Sequence, residues 1–68
     1  MTLDCLGQRC PLPVIALARA IGSVEIGEVI RVLADDPAAE NDIAAWCRMR
    51  GHSLVSSSPP EFEVRRLV

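Results

Sequence analysis

The chain has 68 residues, 50% of them hydrophobic and 24% charged, which makes it one small domain spanning 1–68 with a thin core. A net charge of -2 with Trp46 and Phe62 as the only aromatics provides neither an electrostatic groove nor stacking platforms, so direct nucleic-acid binding is not expected. No apolar run approaches the roughly 18 residues of a membrane span and no basic-then-apolar leader opens the chain, so the sequence reads as cytoplasmic and away from membranes.

In chain order, Thr2 to Leu6 is β-compatible and ends at Gly7, which turns the chain into a loop running to Arg9. From Pro11 the period changes: Val14, Leu17, Ala18 and Ile21 mark one apolar helix face, with Gly22 as the stop. Glu28 to Ala34 reads as a strand with Ile30, Val32 and Ala34 on its core face and Arg31 interrupting the other. Asp36 stands at an N-cap and Pro37 at the first helical position, which predicts a helix to about Arg50. Its inner side carries Ala39, Ile43, Trp46 and Cys47, with Arg50 at the edge, and Gly51 ends it. Ser53 to Ser57 and Glu61 to Val68 then form a hairpin around a turn at Ser58 to Pro60, with Phe62 and Val64 on one face.

The order βαβαββ with right-handed crossovers predicts an α+β fold: a two-layer sandwich with two helices packed on one face of a four-stranded mixed sheet.

Chemistry concentrates at "RCPLP". A helix beginning at Pro11 makes Cys10 its N-cap, where unpaired N–H groups and the helix dipole favour a thiolate, and Arg9 adds to this if it turns toward the sulfur. Pro11 and Pro13 lack an N–H, so among the first three helical residues only Leu12 can donate to the sulfur. Mild activation is therefore expected, with the prolines holding a stiff first turn that projects the thiol into solvent. The competing reading is a buried apolar cysteine whose prolines merely start a helix.

The segments "LDCLGQRCPLP" and "GEVIRVLADDPAAENDIAAWCRMRGHSLV", with their spacing, resemble the TusA-like (SirA-like) family of sulfur-carrier proteins from Leu3 to about Val55. The tail from Ser56 to Val68 carries no matching motif. The resemblance implies the two-layer βαβαββ sandwich and a carrier role for Cys10, which receives sulfane sulfur as a persulfide and passes it on. Implied partners are a donor, a cysteine desulfurase or rhodanese-like protein, and a downstream acceptor protein, serving tRNA thiolation, cofactor sulfuration or sulfur oxidation. Cys5 is a thiol that many relatives lack, Leu12 is acidic in some, and Arg19 stands where they often have lysine. No cofactor is implied. The alternative is a regulatory or redox-sensing interaction module in which Cys10 only caps a helix.

Other candidates have structural readings beside functional ones. Arg19 is a solvated helix charge or a docking contact for an acidic patch, and Asp35 a surface acid or a residue that positions the Cys10 loop. Asp36 and Asp42 suit the positive end of the second helix. Three cysteines, an odd number, read as free thiols: Cys5 as a packed strand residue and Cys47 as a core residue. Cys5, Cys10, Cys47 and His52 make up a Cys3His set on paper, but no Cys-X2-Cys knuckle supports zinc and no metal site is expected. His52 reads as a surface or edge residue, and Trp46 and Met49 as packing residues.

Overall fold

The computed structural model describes residues 1–68. Four strands, β1 (Thr2–Asp4), β2 (Val29–Leu33), β3 (Ser53–Ser58) and β4 (Glu61–Arg65), form one sheet in the order β1-β2-β4-β3. β1 runs parallel to β2, while β4 is antiparallel to both β2 and β3. Two helices, α1 (Leu12–Ala20) and α2 (Ala39–Arg50), fill the connections after β1 and β2. The expected α+β sandwich and its mixed four-stranded sheet are therefore present.

Register explains the single core. Ile30 faces Val64 and Val32 faces Phe62 across the β2–β4 ladder, and all four are buried. They join Leu17, Val24, Ala34, Ala39, Ile43, Trp46 and Cys47 in one cluster. Full burial of each large aliphatic or aromatic side chain contributes about 1.5–3 kcal/mol. The alternate residues Arg31, Glu61, Glu63 and Arg65 are exposed, and Arg31 pairs with Glu61 on that open face. The interruption by Arg31 thus marks the solvent side of the sheet.

Element boundaries differ from the sequence expectation for local reasons. β1 stops at Asp4, whose carboxylate takes the N–H of Leu6 and bends the chain. Regular β2 pairing occupies Val29–Leu33, inside the expected Glu28 to Ala34. α1 begins at Leu12 with Pro11 as its cap residue (φ -96°, ψ 19°), so Cys10 lies outside the helix rather than capping it. Ala18 is exposed, while Pro13 is fully buried and shares the core-facing side with Leu17. Gly22 does not stop the helix in a left-handed conformation; the chain tightens into a 3-10 turn over Ile21–Ser23, and Ser23 Oγ donates to the Ala20 carbonyl at 2.6 Å.

The start of α2 also shifts. Asp36 Oδ1 accepts from Ala38 N at 2.8 Å, as a cap would, but the first turn is tight, with Ala39 N donating to Asp36 O. Regular α-helix begins at Ala39, two residues beyond Pro37. Gly51 ends it as expected, at φ 80°, and Arg50 points to solvent instead of the inner edge. β3 extends to Ser58 with a bulge between Leu54 and Ser56, and β4 ends at Arg65 rather than at Val68. The residues after β4 form a strap: Arg66 Nη1 donates to Val24 O at 2.6 Å, and Gly27 N donates to Arg66 O at 2.7 Å.

Candidate functional site

The loop from Cys5 to Pro11 crosses the end of the sheet beside the turn that opens α2. Three hydrogen bonds fix it, two to side chains and one within the backbone. Gly7, at φ 77°, turns the chain, and its N–H donates to Asp35 Oδ1 at 2.9 Å. Cys10 N donates weakly to Asp36 Oδ2 at 3.4 Å, so the two oxygens of Asp36 tie the loop to the start of α2. Leu12 N donates to Arg9 O at 2.9 Å and closes the turn around Cys10.

The thiol is partly buried against the core, not projected freely into solvent. Its surroundings are acidic. Burial first, then hydrogen bonding to the Asp42 carboxylate and the charges of Asp42 and Asp36, push the Cys10 thiol up to about 12. The mild activation expected of a helix cap is therefore overturned: Cys10 is not on the cap, and carboxylates rather than N–H donors face the sulfur. In the free protein Cys10 is a neutral thiol.

Other sequence candidates fall in different places. Arg9 is exposed and makes no ion pair, and Arg19 is exposed in the last turn of α1, about 10 Å along the helix from Leu12. Pro11 is exposed beside the thiol and lines a shallow groove with Val14, Asp42, Ala45, Trp46 and Met49. Met49 is 82% exposed, so it packs little. Cys5 is buried immediately after β1, its N–H on Leu33 O at 2.8 Å, and Cys47 is buried in the core. All three cysteines are free thiols, and burial raises the thiols of Cys5 and Cys47.

No three His, Cys, Asp or Glu side chains converge as a metal-holding group, so the Cys3His set is not assembled. His52 is half-buried at the edge of the core, within the surface-or-edge expectation: it stacks on Trp46 at 5.2 Å and its Nδ1 accepts from Leu67 N at 3.2 Å.

Asp42 is the residue that sequence reasoning placed correctly on α2 but left unconnected to the thiol. One sequence holds no sign of that proximity, because it arises from packing the start of α1 against the first turn of α2.

Comparison with known proteins agrees with this architecture. The family model for "Sulfurtransferase TusA" matches residues 1–67, and so includes the tail in which no motif was visible. An Archaeoglobus fulgidus protein described as "Putative sulfur carrier protein" is 44% identical over 66 residues, covering 97% of this chain and 86% of its own length. The crystal structure of the SirA-like protein from Desulfitobacterium hafniense superposes with a TM-score of 0.70 at 30% identity, covering 93% of this chain and 89% of that one. No helix of the chain is long and apolar enough to cross a membrane.

Proposed function

The chain belongs to the TusA sulfurtransferase family, and from that premise we propose that it is a cytoplasmic sulfur-relay carrier whose cargo is a persulfide on Cys10. The observation that carries the assignment is exposure: Cys10 is the only cysteine that is not buried. A cargo that must pass between proteins needs a sulfur that both partners can reach.

Loading is a thiol exchange. Cys10 Sγ attacks the outer sulfur of the donor's persulfide; that S–S bond breaks as the new one forms. The donor cysteine leaves as a thiolate and takes up the proton that Cys10 gives up. Delivery repeats the exchange, with an acceptor cysteine attacking the outer sulfur and Cys10 as the leaving thiol. The sulfane sulfur changes carrier without net oxidation. The donor is a cysteine desulfurase or rhodanese-like protein, and the acceptor feeds tRNA thiolation, cofactor sulfuration or sulfur oxidation, with no direct contact to nucleic acid or membrane.

Within this mechanism Asp35 positions the loop through Gly7, and Pro13 anchors the start of α1 in the core. Pro11 and Arg9 border the thiol on its open side and meet the partner. Arg19, at the other end of α1, contacts only a partner broad enough to span the helix. The rival reading, an oxidant sensor, needs the same Cys10 thiolate and is separated from the carrier by what the sulfur takes up, oxygen from an oxidant or sulfane sulfur from a persulfide donor.

Incubation with a persulfide donor adds one sulfur, about 32 Da by intact mass, to the wild type and to Cys5→Ser, and none to Cys10→Ser. Loading that survives in Cys10→Ser and disappears in Cys5→Ser overturns the assignment.

A further inference from the structure

We infer that the outer side of α2 and the β3 edge form a docking surface for a second copy of this chain, in a two-fold pair held by reciprocal Glu40–Arg48 ion pairs. The pairing makes no use of Cys10 and goes beyond the carrier reading.

β3 is one edge of the sheet, and its outer side has no strand partner. The opposite edge, β1, is short and carries Asp4, as protected edges do, whereas Ser53–Ser58 holds neither a charge nor a proline. Its apolar middle residue, Val55, is 42% exposed. The one device against strand pairing is the bulge between Leu54 and Ser56, which interrupts a regular ladder but leaves Val55 at the surface. α2 packs against α1 on one side and β3 on the other. On the β3 side Glu40 accepts a hydrogen bond from Ser57 Oγ, and Ala44 and Arg48 continue the same stripe at i+4 and i+8. Glu40 and Arg48 are exposed, and neither forms an ion pair within the chain.

The charges on this stripe complement the same stripe turned end for end. α2 and β3 run antiparallel, joined at Gly51, with Glu40 beside Ser57 at one end and His52 N on Cys47 O at the other. From Ser57 back to Val55 the strand covers about 7 Å, and from Glu40 to Ala44 the helix covers about 6 Å in the same direction. Ala44 is therefore level with Val55, and Arg48 with Ser53. A two-fold axis at the level of Ala44 and Val55 brings Glu40 of each copy opposite Arg48 of the other, with the small Ala44 where the two helices come closest. Sliding the strands so that Ser57 lies on the axis sets Glu40 against Glu40, so charge selects the register. The groove beside Pro11 lies on the other side of α2, along Asp42, Ala45 and Met49, and stays open in the pair.

Sedimentation velocity from micromolar to millimolar protein tests this with wild type, Glu40→Arg, Arg48→Glu and an equimolar mixture of the two variants. Wild type should form a dimer that weakens in high salt. Each variant alone places like charges across the axis and should dimerise about tenfold more weakly. The mixture restores both pairs between unlike copies and should return to the wild-type dissociation constant, which also shows that both variants are folded. A wild type that stays monomeric at millimolar concentration overturns the proposal and leaves the edge to a strand of another protein. A dimer that neither variant weakens, or a mixture that stays as weak as its components, overturns the Glu40–Arg48 contact and with it the pair.

Discussion

His52 links the second helix to the strap after β4, and its protonation state decides whether that link holds. Its Nδ1 accepts the Leu67 N–H only when unprotonated, and the site lowers its pKa, first through burial and then through Arg66 and Arg50. Because the unfolded chain then binds the proton more readily, the stability that His52 contributes is complete above its unfolded pKa, about 6.5, and is lost as pH falls toward the lower folded value. Urea midpoints should therefore drop between pH 7.5 and pH 5.5, and His52→Gln should flatten that portion of the profile. An unchanged slope in His52→Gln would assign the loss to other groups. Cys10 has the opposite electrostatics: carboxylates keep a thiol neutral where arginines keep an imidazole neutral. In both cases the neighbours came from a different element.

The elements differ in how strongly local chemistry specifies them. Gly51 sits at φ 80°, and a Cβ there would meet only Val68 Cγ2 at 3.8 Å, an ordinary contact. Gly51→Ala should then cost about 1–2 kcal/mol from backbone strain alone, measurable as a lowered urea midpoint with an unchanged m-value. The Arg31–Glu61 pair joins β2 to β4 on the open face with side chains 47% and 52% exposed. Arg31→Ala should change stability by less than about 1 kcal/mol, and less still in high salt. The end of α2 was legible because a left-handed glycine is a local requirement. Its beginning was less so: Asp36 and Pro37 signalled a cap, but a tight turn delays the α-helix to Ala39. At α1 the two prolines suggested a start at Pro11, and the one-residue displacement moved Cys10 from a helix cap to a turn facing Asp42. An activating site was thereby replaced with a suppressing one.

At the scale of the molecule, twelve hydrophobic residues are buried, and Phe62 is the largest of the fully buried side chains. Phe62→Ala should cost about 3–5 kcal/mol, a large part of the roughly 5–15 kcal/mol available to a small domain, and thermal unfolding by circular dichroism should show a correspondingly lower transition. The fold was readable because Ile30, Val32, Phe62 and Val64 alternate at the strand period while Leu17, Ile43 and Trp46 follow the helix period. The surroundings of the thiol were not, because Asp42 lies 32 residues away in sequence and reaches Cys10 only after both helices pack on the sheet. The carrier account depends on which sulfur takes the cargo. Cleavage after arginine separates the three cysteines, placing Cys5 in residues 1–9, Cys10 in residues 10–19 and Cys47 in residues 32–48. After loading by a persulfide donor and blocking of free thiols, peptide mass spectrometry should find the added sulfur, about 32 Da, on the 10–19 peptide alone. Added sulfur on the Cys5 or Cys47 peptide, with the 10–19 peptide unmodified, would contradict the account.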